Sequence, residues 1–184
     1  MEAHDAMTDP ALDEGAAPAE APRSLADELE ADRKSMASER VPLELELPGY
    51  GSKLVAKYRV LDGDELEKLS ERQRKMSLSH DKKAVLKSMC DTIIAACVGF
   101  FTTRDGDLVP LEDAMPELGV EGPIRYDRNL ARALRIEMDE NPTARSILVD
   151  AFGNGENVEL LILAHYRDLD QWMGAANVTD DQRL

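Results

Sequence analysis

The stretch VPLELELPGYGSKLVAKYRVLDGDELEKL, residues 41–69, leaves the chain few choices. Leu43, Leu45 and Leu47 alternate with Glu44 and Glu46, the period of two that sends one set of side chains to each side of a strand. Pro48-Gly49-Tyr50-Gly51 is a turn by composition. Beyond it, Leu54, Ala56, Tyr58 and Val60 share one face, with Lys53, Lys57 and Arg59 opposite. Folded back as a hairpin, the two strands bring acids against bases across the ladder. Asp62 and Glu65 then have capping-box spacing, opening a helix that carries Leu66 and Leu69.

From Ser79 the period changes. Leu86, Met89, Ile93, Ala96, Cys97 and Phe100 recur at spacings of three and four, which predicts a central core helix with Lys83, Lys87 and Asp91 on its other side. Asp105-Gly106 lies between short apolar runs and predicts a second hairpin. A connection punctuated by Pro and Gly occupies residues 112–123. Asp127 is placed to cap a short helix with Leu130, Ala133 and Leu134. Asn141-Pro142 predicts the start of another, with Ile147, Leu148, Ala151 and Phe152 inward and Gly153 at its end. The last helix begins near Glu156, with Val158, Leu161, Ile162, His165, Leu169, Trp172 and Met173 as its stripe. Leu160 and Leu163 fall outside that stripe, and a helix apolar on more than one side is either buried all round or wants a partner. The fold class is therefore α+β, mainly α: an N-terminal β-hairpin and a second short hairpin packed with four to five helices. Residues 41–175 form the single folded domain, and 176–184 a frayed C-terminus.

A length of 184 residues suits one domain with a real core. Residues 1–40 stand apart from it, with no aromatic and 11 acids against 4 bases. Such a segment buries too little apolar surface to offset its chain entropy and reads as a disordered acidic tail. Within it Ser24-Leu-Ala-Asp27 resembles a helix cap, followed by a weak face of Leu25, Leu29 and Met36. The formal net charge of −15 argues against general nucleic-acid binding and against docking on anionic lipid. No apolar run approaches the ~20 residues of a membrane helix. MEAHDAMTDPALDEGAAPAE lacks the basic start and hydrophobic run of a secretory signal. Cys90 and Cys97, seven apart in a helical pattern, would hold their Cα atoms about 10 Å apart, too far to bridge. Reduced thiols without an export signal indicate the cytoplasm.

The chemistry-bearing residues form no recognisable machinery. His4, His80 and His165 are scattered, with no HExxH or CxxC spacing, so no metal site is expected. His165, inside an apolar stripe, reads as a buried, hydrogen-bonded core residue. Cys97 reads as a small buried hydrophobe rather than a nucleophile. Phe152-Gly-Asn-Gly155 follows a helix rather than a strand and lacks GxxxxGK[ST], so it reads as a loop and not a phosphate cradle. No catalytic residues and no cofactor are expected. An acidic DNA mimic is a further reading of the charge, but bases interleave with the acids of the folded part, where a mimic would present an unbroken acidic ridge.

ELPGYGSKLVAKYRVLDGDEL, CDTIIAACVGFF, GPIRYDRNLARAL, TARSILVDAFGN and the closing QWM follow one another in an order that resembles the tail assembly chaperones of long-tailed, siphovirus-type bacteriophages, particularly those of actinobacterial hosts. The resemblance spans residues 43–173 and rests on the order of several motifs. It implies a non-enzymatic protein of the host cytoplasm. Such chaperones bind the long, largely helical tape measure protein, keep it soluble, bring tail tube subunits to polymerise around it, and are absent from the mature virion. They are often made in two lengths through a ribosomal frameshift. A client with apolar helical stripes calls for an apolar surface to cover them. Leu160, Leu163, Tyr166 and Trp172 on the last helix are the candidate partner-binding residues. The implied partners are the tape measure protein and the major tail tube protein, with neither nucleic acid nor membrane, and a homo-oligomer is compatible with the sequence. The alternative is a structural neck or tail protein retained in the virion.

Overall fold

The structure, a computed structural model, describes residues 41–77, 82–153 and 155–181, which fall in one compact unit, Arg40–Leu184. The acidic segment 1–40, with His4, and the stretch 78–81, with His80, lie outside the described residues. Strands β1 (Leu43–Leu47) and β2 (Gly51–Tyr58) form the first hairpin. Its turn is closed by the Tyr50 amide donating to Leu47 O at 3.0 Å, with Pro48 second and Gly49 third at φ +85°, the left-handed position that glycine fills without a Cβ clash. Across the ladder Glu44 stands opposite Lys57, and their side chains meet at 2.9 Å.

Helix α1 (Gly63–Ser77) begins with the capping box that the sequence predicts. The Glu65 amide donates to Asp62 Oδ1 at 2.8 Å, and the Asp62 amide to Glu65 Oε2 at 3.1 Å. Arg59 grips the same Glu65 carboxylate with two hydrogen bonds, so the end of β2 and the first turn of α1 are tied together. That pairing holds the Glu65 carboxyl below its ordinary range.

Helix α2 (Lys82–Ala96) corrects one reading. The three-four pattern runs through Phe100, but the helix ends at Ala96, and Cys97 opens strand β3 (Cys97–Arg104) directly. The Arg59 amide donates to Ala96 O at 2.9 Å, so the helix end is received by the sheet. Val98, Phe100, Phe101, Thr102 and Thr103 are β-branched or aromatic and favour a pleated surface. A register shift at Val98, where Lys57 pairs with Gly99 but Tyr58 with Cys97, turns Cys97 and Phe100 both inward at a spacing that mimics a helical continuation. The buried face of α2 is Ala84, Ser88, Cys90, Thr92, Ile93 and Ala96, while Leu86 and Met89 are half-buried at its edge.

Strand β4 (Asp107–Pro110) completes an antiparallel sheet in the order β1-β2-β3-β4, so the two predicted hairpins are one sheet. Asp105 and Gly106, at φ +53° and +95°, form the two-residue hairpin loop, where a positive φ is required at both positions. Directly opposed residues share a face, so Leu45, Ala56 and Phe100 make one inward row and Leu43, Tyr58 and Cys97 a second. Helices α2, α5 and α6 cover that side.

The 112–123 connection contains α3 (Leu111–Ala114) and a 3-10 turn at Pro116–Leu118. It returns to β3 so closely that a Cβ on Gly99 would stand 3.3 Å from Pro123 Cβ. Helix α4 (Arg128–Ala133) is capped by Asp127, whose carboxylate accepts from the amides of Asn129 and Leu130. Helix α5 (Ala144–Phe152) starts two residues later than Asn141-Pro142 suggests. Thr143 and Ser146 satisfy one another's amides reciprocally, a stronger claim on the N-terminus than a lone Asn. Arg145 of α5 then holds Asp91 of α2 with two hydrogen bonds of 2.6 Å. Helix α6 (Val158–Asp181) runs through residues 176–181, which the sequence reading assigned to a frayed end. Six α-helices among the described residues, against four or five expected, leave the class unchanged: mixed α+β, mainly α.

One backbone feature is locally unfavourable. Past α4 the Ile136 amide donates back to Ala131 O and the Arg135 amide to Arg132 O, which places Arg135 at φ +54° where helices usually end in glycine. Arg135→Gly should raise the free energy of unfolding by about 1 kcal/mol in urea titration. A loss of stability would show that contacts of the side chain outweigh the strain.

Candidate functional site

Tyr58, Tyr126 and His165 are buried polar groups of the core, at 0%, 3% and 6% exposure. Tyr58 enters from the apolar face of β2, Tyr126 from the segment before α4, and His165 from the inward stripe of α6. Tyr58 Oη lies 2.9 Å from Tyr126 Oη and 2.7 Å from His165 Nε2, so a chain of two hydrogen bonds joins three distant segments. Edge-to-face contacts surround it, with Phe152 against His165 at 5.0 Å and Phe100 against Tyr126 at 5.0 Å between centroids. Burial pushes both phenols well above their ordinary range. Burial likewise lowers His165 to about 4, partly offset by the charge of Asp168. At neutral pH the cluster is an uncharged clamp. His165 is the buried, hydrogen-bonded residue that its sequence position implies, while its two tyrosine partners escape sequence reading. Their only signal is a Tyr at an inward strand position and another beside a helix cap.

The cysteines are buried and unbridged. Cys97 heads a strand rather than lying in a helix with Cys90, and desolvation pushes its thiol up to about 12. A thiol so poorly ionised and so enclosed packs as a small apolar side chain. Among the described residues no group of three or more His, Cys, Asp or Glu is arranged to hold a metal ion. No helix among them is long and apolar enough to cross a membrane.

The outer side of α6 is different. Ile162, His165, Leu169 and Met173 are buried, yet Leu160 is 64% and Leu163 45% exposed. With Ala164, Tyr166, Arg167 and Asp170 of α6 and Met89 of α2, these leucines line an open groove of about 400 Å³. The spacing 160, 163, 164, 167 is that of one helix face, and it spans about 10 Å along the axis. Val85, exposed one turn before Met89, extends the apolar ground along α2. Tyr166 crosses toward Asp170, its hydroxyl 3.4 Å from Oδ1.

Of the four residues singled out from sequence, the structure brings Leu160, Leu163 and Tyr166 together in this groove. Trp172 is not among its lining residues. It lies about 120° around the helix from Leu160, half-buried against the core. Met89, Ala164, Arg167 and Asp170 belong to the groove without having been picked out. The α6 members were legible from their spacing to Leu160, whereas Met89 arrives through tertiary packing. Such a groove can cover part of an apolar helical stripe.

No protein-family model, curated protein or solved structure matches the chain.

The neutral clamp makes stability depend on pH in a set direction. His165 binds its proton less readily folded than unfolded, so its contribution is full above about pH 6.5 and is lost as the pH falls through about 4. Urea titrations at pH 7 and pH 5 should differ by about 2 kcal/mol through this group. A His165→Gln chain should show a correspondingly flatter pH dependence over that interval. Equal slopes in the two proteins would contradict a buried neutral imidazole.

Proposed function

We propose that this chain is an assembly chaperone for the tail of a long-tailed bacteriophage, which binds the tape measure protein transiently through the outer face of α6. The order of motifs over residues 43–173 supports the family reading. One structural observation carries the surface assignment: Leu160 and Leu163 are exposed on a helix whose opposite side is fully engaged in the core. Because Ile162, His165, Leu169 and Met173 anchor α6, its outer leucines can be offered to a client without unfolding. An amphipathic client helix would lay its apolar stripe along Leu160, Leu163 and Tyr166 and against Met89.

A groove this small favours moderate affinity, which suits a partner that must later be released into the tail tube. The net charge of −15 keeps the loaded complex dispersed. On this reading the chain acts in the host cytoplasm without bond chemistry, recruits the major tail tube protein, and leaves before the virion is complete. Mass spectrometry of purified particles separates it from a retained neck or tail component, which would be detected in stoichiometric amount.

Co-expression with the tape measure protein, scoring the soluble fraction of the client, tests the groove. Leu160→Ser with Leu163→Ser should lose most of the client's solubility while altering the chaperone's own unfolding free energy by no more than about 1 kcal/mol. Undiminished client solubility with the double variant would remove the groove from the mechanism. Unfolding of the variant would show that the leucines serve the core.

A further inference from the structure

A second surface has the opposite character. Arg125, Arg128, Arg132 and Arg135 follow one another at spacings of three, four and three, and all four are exposed. Arg128 and Arg132 lie one turn apart on the outer side of α4, whose inner side buries Leu130 and Ala131. Arg135 stands just beyond its end. In a chain with 37 acids against 22 bases, most arginines would be expected to find a carboxylate. Arg59 pairs with Glu65 and Arg145 with Asp91, and Arg167 stands 3.7 Å from Asp168, whereas Arg104 donates to the Ala114 carbonyl. Among the described residues none of the four on this surface finds a carboxylate. Three of them instead donate one hydrogen bond each to backbone carbonyls: Arg125 to Val98 at 3.2 Å, Arg128 to Glu140 at 3.2 Å and Arg132 to Leu118 at 3.4 Å. One bond of this kind orients a guanidinium and leaves most of its five donors available.

Arg135 adds an independent observation. It occupies the left-handed position that glycine fills more easily, so the chain keeps a cation there at a cost in backbone strain. Favourable interaction with the C-terminal end of a six-residue helix is a weak reason to keep it, because that effect is small at an exposed site. A partner that needs the charge is a better one.

We propose that the outer face of α4 is a docking surface for an acidic protein segment, held by Arg128, Arg132 and Arg135 with Arg125 beside them. Guanidiniums bind carboxylates through paired N–H donors, and a face about 10 Å long meets a few carboxylates on successive turns of a short segment. A nucleic acid fits less well. It would extend past this face over a protein of net charge −15, whereas a short segment lies within about one Debye length (~8 Å) of the arginines. No residue of α4 lines the groove on α6, so this surface is separate from the proposed client site.

The test is a titration of the full chain into a fluorescein-labelled deca-glutamate peptide, followed by anisotropy. Saturable binding at low salt should weaken about tenfold when Arg128→Gln and Arg132→Gln are combined, and should be largely lost at about 300 mM salt. Arg135→Gly should weaken binding about threefold without lowering the melting temperature, a combination that a purely structural arginine does not produce. Should the double variant fail to fold by circular dichroism, the single Arg135→Gly chain carries the test alone. Absence of saturable binding at low salt, or equal binding by the parent chain and Arg135→Gly, overturns the proposal. So does tighter binding of a DNA oligonucleotide of matched charge, which would make this a nucleic-acid surface.

Discussion

A hydroxyl group on the buried face of a central strand must be hydrogen-bonded or it costs a few kcal/mol, and Tyr58 puts one there. Its two partners come from 68 and 107 residues further along the chain. The segment entering α4 and the middle of α6 must therefore both reach the sheet in one register, or a polar group is orphaned in the core. Apolar contacts around the cluster are numerous but tolerant of small shifts, whereas the two hydrogen bonds are not. The clamp thus sets the rotation of α6 about its own axis, and with it which residues of that helix face water.

That rotation connects the fold to the proposed activity. With His165 turned inward, Ile162, Leu169 and Met173 follow it into the core, and Leu160 and Leu163 are necessarily turned out beside Met89. Leucines left in water on a helix so firmly held are costly to solubility unless something covers them. A transient client does so without requiring the chaperone to change shape. The arginine face on α4 belongs to another part of the molecule, and it departs from local backbone preference at Arg135, where the groove on α6 departs from solubility.

Much of this was legible in the amino-acid order, and the rest was hidden for identifiable reasons. Alternation in residues 43–58 gave the first hairpin with acids facing bases, which the structure realises as the Glu44–Lys57 pair, because period and charge both report local geometry. Asp62-Glu65, Asp105-Gly106 and Asp127 worked for the same reason: caps and tight turns are contracts between neighbouring residues. The change from α2 to β3 at Cys97 was obscured because a bulge at Val98 leaves Cys97 and Phe100 both inward three residues apart, a spacing that a helix also gives. The start of α5 slipped by two residues because Thr143-Ser146 and Asn141-Pro142 compete for it, and only the former forms reciprocal bonds. On α6 Leu160 and Leu163 could be read as outward from their place outside the stripe, whereas Leu161, placed within it, is also exposed. Trp172, read both as part of the stripe and as a partner-binding candidate, packs half-buried against the core, since a position at the stripe's edge is compatible with either until the helix is docked. Tyr58 and Tyr126 as partners of His165 required tertiary contact, which no spacing encodes.

The most direct measurement replaces Leu160 with the photo-crosslinking residue benzoylphenylalanine in cells that also express the tail genes, with the exposed Glu117 as a control position. Irradiation should yield an adduct between the chain and the tape measure protein from position 160 and little from position 117. Equal adducts from both positions, or none with the tape measure protein from position 160, would contradict a client-binding face on α6.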